Sequence, residues 1–200
     1  MKQEELEERK SAVRPGQDLI MAGLAGFEGT RRIAGLHKEE LRQRFSPVFL
    51  EDQLTRGLEA EEILRRFLAG GTLPVPEREI SAWEAVGEGG VLAALWNFSG
   101  KMEAGIEFDL KKIPVRQITV EVSELFHLNP YRLLSAGAFV AAADNGARAA
   151  ECLGQVGIPA AVIGRVTEGI ARRMFHGGQE AGFLERPQPD EIEKVIKRRV

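Results

Sequence analysis

Residues 83–96, WEAVGEGGVLAALW, set Gly87, Gly89 and Gly90 around a single carboxylate, Glu88, and then run into strong helix formers. The order reads as strand, glycine turn, helix. Successive backbone N–H groups at a helix N-terminus make a cradle for an anion, and glycines keep it open because no Cβ blocks the approach. The same glycines serve where a strand must turn tightly into a packed helix. The loop has neither the lysine of a P-loop nor the GxGxxG spacing of a dinucleotide site. Taken alone, the stretch favours packing and leaves the anion cradle open.

Strands and helices alternate on both sides of this stretch. PGQDLIMAG (15–23) is a turn followed by a compact apolar run, the first strand. RRIAGLHKEELRQRF, PVFLEDQLTRGL and EAEEILRRFL follow within 31–68. They carry apolar residues three and four apart, as in Leu58, Ile63, Leu64, Phe67 and Leu68, which is a helical period. GGTLPVP (70–76) breaks the chain before the EISAWEAV strand. Beyond the glycine loop, AGIEFDL (104–110) alternates Ile106, Phe108 and Leu110 as a strand does. VRQITVEVSELFHL (115–128) is helical, with Ile118, Val122 and Leu125 as its core stripe. AFVAAA (138–143) is a fully apolar strand, followed by a helix over 146–156 and the strand PAAVIGRV (159–166). Residues 170–184 read as a hairpin folded at His176, Gly177 and Gly178. PDEIEKVIKRRV (189–200) closes as a helix, acids first and bases last, matching its dipole. This interleaving predicts an α/β (α+β) fold, a mixed β-sheet flanked by layered helices.

Composition narrows the function. With 27 basic and 30 acidic residues and a formal charge of -3, the chain lacks the basic excess of a dedicated nucleic-acid binder. No apolar stretch approaches the ~20 residues that cross a bilayer. The opening MKQEELEERK is unlike a secretory or transit signal, so the chain reads as cytoplasmic. Cys152 is the single cysteine, which rules out an internal disulfide and a thiolate-rich metal site. His37, His127 and His176 are far apart and match no metal-binding spacing, so no metal is expected. His127 reads as a helix end and His176 as a hairpin tip. No GxSxG or other catalytic spacing is present, and no catalytic residue is assigned. Asp109, Lys111 and Lys112 read as an exposed charge cluster.

Five blocks occur in one order: GQDLIMAGLAGFEGT, VGEGGVLAALWNFSG, GIEFDLKKIPVRQ, HLNPYRLLSAGAFVAAA and GIPAAVIGRVTEG. Together they resemble the C-terminal domain of the AIR synthase-related superfamily, over roughly residues 15–170. The likeness is greatest to its AIR synthase-related and hydrogenase-maturation-like branch. That superfamily also takes in selenophosphate synthetase, thiamine-monophosphate kinase and FGAM synthase. The resemblance implies a layered mixed sheet, partly ferredoxin-like. It also implies that the glycine turn lies near a cleft and helps to hold phosphate or substrate, so Gly87, Glu88, Gly89, Gly90 and Val91 are the expected ligand site. Glu84 stands near a family aspartate and Gly87 near a family hydroxyl residue. Arg116 and Gln117 match a polar pair in the closest relatives and are read either as a helix start or as facing the cleft.

The family's enzymes carry an N-terminal domain that binds ATP and magnesium and dimerises, and residues 1–14 are too short to replace it. No cofactor is therefore expected in the isolated chain. The KRRV end lacks the carbamoyl-carrying cysteine of the maturation factor. The expected organisation is a charged segment over 1–14, the domain over 15–186, and a C-terminal helix over 187–200 packed on or extending it. Two functions follow. One is a stand-alone, non-catalytic domain that binds a small phosphorylated ligand or a partner at the glycine-loop edge. The other is half of a split ATP-dependent enzyme, completed by a separate nucleotide-binding chain. Surface that the family covers with its nucleotide domain points to a homodimer or to that partner.

Overall fold

In the computed structural model, which describes residues 3–76 and 79–196, the apolar run AFVAAA becomes β4 (Ala138–Ala143), with all six residues buried. Burial on both faces explains the composition, because a strand open to water on one side alternates polar and apolar residues. Around it the chain forms α1 (Gln3–Ala12), β1 (Asp18–Ala22), α2 (Phe27–Leu36), α3 (Lys38–Arg44), α4 (Pro47–Thr55) and α5 (Leu58–Leu68). Then come β2 (Ile80–Val86), α6 (Gly90–Met102), β3 (Gly105–Asp109) and α7 (Gln117–Phe126). After β4 follow α8 (Gly146–Gln155), β5 (Ala160–Thr167), β6 (Arg172–His176), β7 (Gln179–Phe183) and α9 (Ile192–Ile196).

The strands make one sheet in the order β2-β4-β1-β5-β3-β6-β7. Its pairings are antiparallel except for β3 with β6, which makes the sheet mixed. The two-residue period of each strand sorts side chains between two cores. Leu19 and Met21 of β1 join Ala138, Val140 and Ala142 beneath Val91, Leu95 and Phe98 of α6. Ile20 and Ala22 join Phe139, Ala141 and Ala143 on the opposite face, against Leu64 of α5 and Leu153 of α8. Full burial of one such large side chain stabilises the fold by about 1.5–3 kcal/mol. A third core gathers Phe27, Ile33, Leu50, Ile118, Val122 and Val195 among α2, α4, α7 and α9.

Two local expectations are corrected, at Leu110 and at the C-terminal helix. The alternation in β3 stops at Asp109, because Leu110 opens a 3-10 turn over Leu110–Lys112. The charged N-terminal stretch is a helix that lies on the domain through polar groups. Lys10 pairs with Glu103 at 2.8 Å, and the Arg9 guanidinium stands 4.9 Å from the centre of the Trp83 ring. The C-terminal helix starts at Ile192, later than the pattern from 187 implies, after an exposed run without regular structure that contains Pro187 and Pro189. Its basic end, 197–200, lies outside the described residues. Among the described residues no helix is long and apolar enough to cross a membrane.

Candidate functional site

Antiparallel pairing brings several loops to one end of the sheet. Ala22 at the end of β1 stands opposite Phe139 and Ala160 near the starts of β4 and β5, and Val86 at the end of β2 stands opposite Ala138. The turns over 23–26, 87–89 and 133–137 therefore meet. Ser135, which is buried, stitches them together. Its Oγ accepts from the Gly26 N–H at 2.7 Å and donates to the Leu133 carbonyl at 2.7 Å, while its N–H donates to the Gly87 carbonyl at 3.3 Å.

The glycine turn has an anion on it, and that anion belongs to the chain. Gly89, in the left-handed region at φ 75, donates its N–H to Asp190 Oδ2 at 2.8 Å. Asp190 Oδ1 accepts from Leu134 N at 3.2 Å and from Ile192 N at 2.9 Å. Three backbone donors from three segments thus converge on one carboxylate that is only 7% exposed. The positive end of the α6 dipole faces the same charge. The Gly90 N–H closes the turn onto the Gly87 carbonyl at 3.2 Å. Gly90 serves close packing. Its φ is 66, and a Cβ there would run into the carbonyl oxygen of Tyr131. Val91 is fully buried in the α6 core, and Glu88 is exposed.

The structure places the other candidates elsewhere. Glu84 shares the β2 face of Ala82 and Val86, so it looks at α6, and both of its oxygens meet Lys101 Nζ at 2.7 Å. Gln117, the first residue of α7, is exposed and lies 3.4 Å from Glu121 one turn on. Arg116 precedes α7 as its N-cap residue. Its guanidinium donates to the carbonyls of Gln53, at 2.7 Å, and Arg56, capping the end of α4, and it stacks 4.6 Å from the centre of the Phe27 ring. It also forms part of a cavity wall.

Asp109 corrects the exposed-cluster expectation. It is buried, its Oδ1 accepts from Lys111 N and Gly177 N at 2.9 Å each, and its Oδ2 accepts from Gly178 N at 2.7 Å. Burial alone would raise its carboxyl, but these three donors outweigh it and hold the group below the ordinary aspartate value. Lys111 and Lys112 are exposed. His127 ends α7 at φ 56, His176 ends β6 in the open, and Cys152 is half-buried on α8. Among the described residues no group of three His, Cys, Asp or Glu is arranged to hold a metal ion.

Residues 14–175 match the family described as AIR synthase related protein, C-terminal domain. The chain is 24% identical over 163 residues to the phosphoribosylformylglycinamidine synthase subunit PurL of Chelativorans sp. (strain BNC1), covering 81% of this chain and 20% of that protein. Among solved structures it is similar to E. coli HypE, a hydrogenase maturation protein, with 21% identity and a TM-score of 0.66 over 93% of this chain and 54% of that one. It is likewise similar to HypE in a HypE-HypF complex, at 21% identity and a TM-score of 0.63, over 88% of this chain and 54% of that one. The chain thus spans about half the length of these structures and a fifth of the PurL relative. At such identities the structural likeness carries the fold.

Proposed function

Because the chain belongs to the AIR synthase related protein family, through that family's C-terminal domain, we propose that it is a cytoplasmic, non-catalytic binding domain with its ligand end at the loop-bearing end of the sheet. The ligand group is an oxyanion of the phosphate type that takes the place of Asp190 on the glycine turn. What supports this function is the convergence of the Gly89, Leu134 and Ile192 N–H groups on one carboxylate at the α6 N-terminus. The Gly89 and Leu134 donors, already aimed at a negative charge, need no reorganisation to receive another, whereas the Ile192 N–H leaves with the segment of Asp190. Withdrawal of Asp190 is the cost of ligand entry, which makes the C-terminal segment a competitor for its own site. Phosphoryl transfer requires metal ions and charges set around the phosphates, whereas backbone amides suit holding rather than transfer.

The test is thermal melting of wild type and Asp190→Ala in inorganic phosphate, with sodium chloride at matched ionic strength. A ligand that binds only the folded state adds about 2.7 kcal/mol at a hundred times its Kd. The variant should regain much of its lost melting temperature in phosphate but not in chloride, and wild type should respond less. Equal responses to the two salts in both proteins would remove the oxyanion site.

A second function is suggested by the family match, which is to a C-terminal domain. It would then be the substrate-binding half of a split enzyme, with ATP and magnesium held by a separate nucleotide-binding chain. Co-elution with a nucleotide-domain protein, and Mg-ATP binding by the mixture, would establish it. A homodimer through the same end of the sheet, without any such partner, would favour the first function.

A further inference from the structure

We infer that the groove between α2, α3 and α4 is an interface on which a second copy of this chain docks. The groove has a volume of about 580 Å³ and takes no residue from the glycine turn, so it does not depend on the oxyanion ligand. Its floor is apolar: Ala34, Leu41 and Leu50 are buried, and Leu54 is half-buried.

On α4 the lining falls at Pro47, Leu50, Glu51 and Leu54, a three-and-four spacing that keeps these residues on one face. Val48 borders that face at the start of the helix. It is 77% exposed, more than any other large apolar side chain among the described residues. A projecting apolar side chain beside an apolar floor supplies both halves of a self-complementary contact, since Val48 of each copy has the floor of the other to fill. In a two-fold interface the same patch serves on both sides, so that residue i meets j and j meets i.

The charges identify the partner. Those in the lining are Arg31, Lys38, Arg42 and Glu51. Arg31 is answered by Glu61 at 2.9 Å and Arg42 by Glu39 at 3.1 Å. One cation and one anion remain, because the side chains of Lys38 and Glu51 take part in no ion pair or hydrogen bond among the described residues, and both are exposed. An acidic partner would answer Lys38 and repel Glu51, and a basic one would do the reverse. A second copy answers both at once, with Lys38 of each chain against Glu51 of the other.

Sedimentation equilibrium of the full chain tests the interface. Wild type should form a dimer that dissociates on dilution. Lys38→Glu and Glu51→Lys each set like charges together twice in a dimer, so either alone should weaken association at least about tenfold. Mixed in equal amounts, the two variants should associate as wild type does, because both contacts then join opposite charges. Val48→Ser should weaken association while leaving every charge in place. All three positions are exposed, and circular dichroism of each dilute variant should match wild type. A wild-type monomer at every concentration, a dimer indifferent to the single reversals in folded protein, or single variants that do not recover on mixing would overturn the assignment. A dimer through the loop-bearing end of the sheet would show itself by that indifference, and none of these outcomes bears on the oxyanion site.

Discussion

Gly89 and Asp190 are 101 positions apart in the chain, and the N–H of one lies 2.8 Å from the carboxylate of the other. The bond ties the start of α6 to the segment that leads into α9. Asp190→Ala would strand three backbone donors. A lost bond to a charged acceptor costs about 1.5–3 kcal/mol, and partial hydration of the opened space offsets part of the sum. Urea unfolding should show a loss of about 3 kcal/mol with an unchanged slope. A loss under about 0.5 kcal/mol, the range of an ordinary surface change, would mean that the carboxylate does not hold this end of the molecule.

The glycines of the turn should differ sharply in tolerance. Gly90→Ala puts a Cβ on a residue at φ 66 and against the Tyr131 carbonyl, so a loss of at least about 2 kcal/mol is expected. Gly87 has no positive φ, and a Cβ there meets open space. Gly87→Ala should stay within about 0.5 kcal/mol of wild type in the same unfolding assay. Similar losses at both positions would contradict the packing assigned to Gly90.

Asp109 fastens the tip of the β6–β7 hairpin through Gly177 and Gly178. Asp109→Asn should cost about 2 kcal/mol at neutral pH and speed amide exchange at 177–178. Its folded-state pKa is depressed, so the stabilisation is present above the unfolded aspartate value, about 3.9. It fades as pH falls from there through the folded value. The gap between wild type and variant should close below about pH 4. A gap independent of pH would show that the charge on Asp109 is not what holds the hairpin.

The 200-residue chain alone is expected not to bind Mg-ATP. The anion position on its glycine turn is held by Asp190, and among the described residues no acidic cluster is arranged for a metal ion. Isothermal calorimetry checks this. Stoichiometric, magnesium-dependent binding would defeat both proposed functions.

Element identity was legible because it is written in local period and punctuation. The three-and-four spacing of Ile118, Val122 and Leu125 marks α7, the unbroken AFVAAA marks a strand buried on both faces, and His176-Gly177-Gly178 marks a hairpin tip. Five ordered blocks were enough to place the chain in its family, a reading matched over residues 14–175. Arg116 was legible only as two open alternatives, since its partners Gln53 and Arg56 sit about 60 residues upstream.

The strands, most of the helices and the glycine turn are legible in the residues because each depends on neighbours a few positions away. Which charge sits on that turn depends on long-range folding. Asp109 reads as an exposed acid beside two lysines, and Asp190 as the start of a helix, yet both are buried on backbone donors from remote segments. A carboxylate carries no local mark of the N–H groups it will meet. The Gly89 and Leu134 donors reach Asp190 only when antiparallel pairing sets the ends of β1, β2, β4 and β5 side by side, and the Gly177 and Gly178 donors reach Asp109 only when β6 lies parallel to β3.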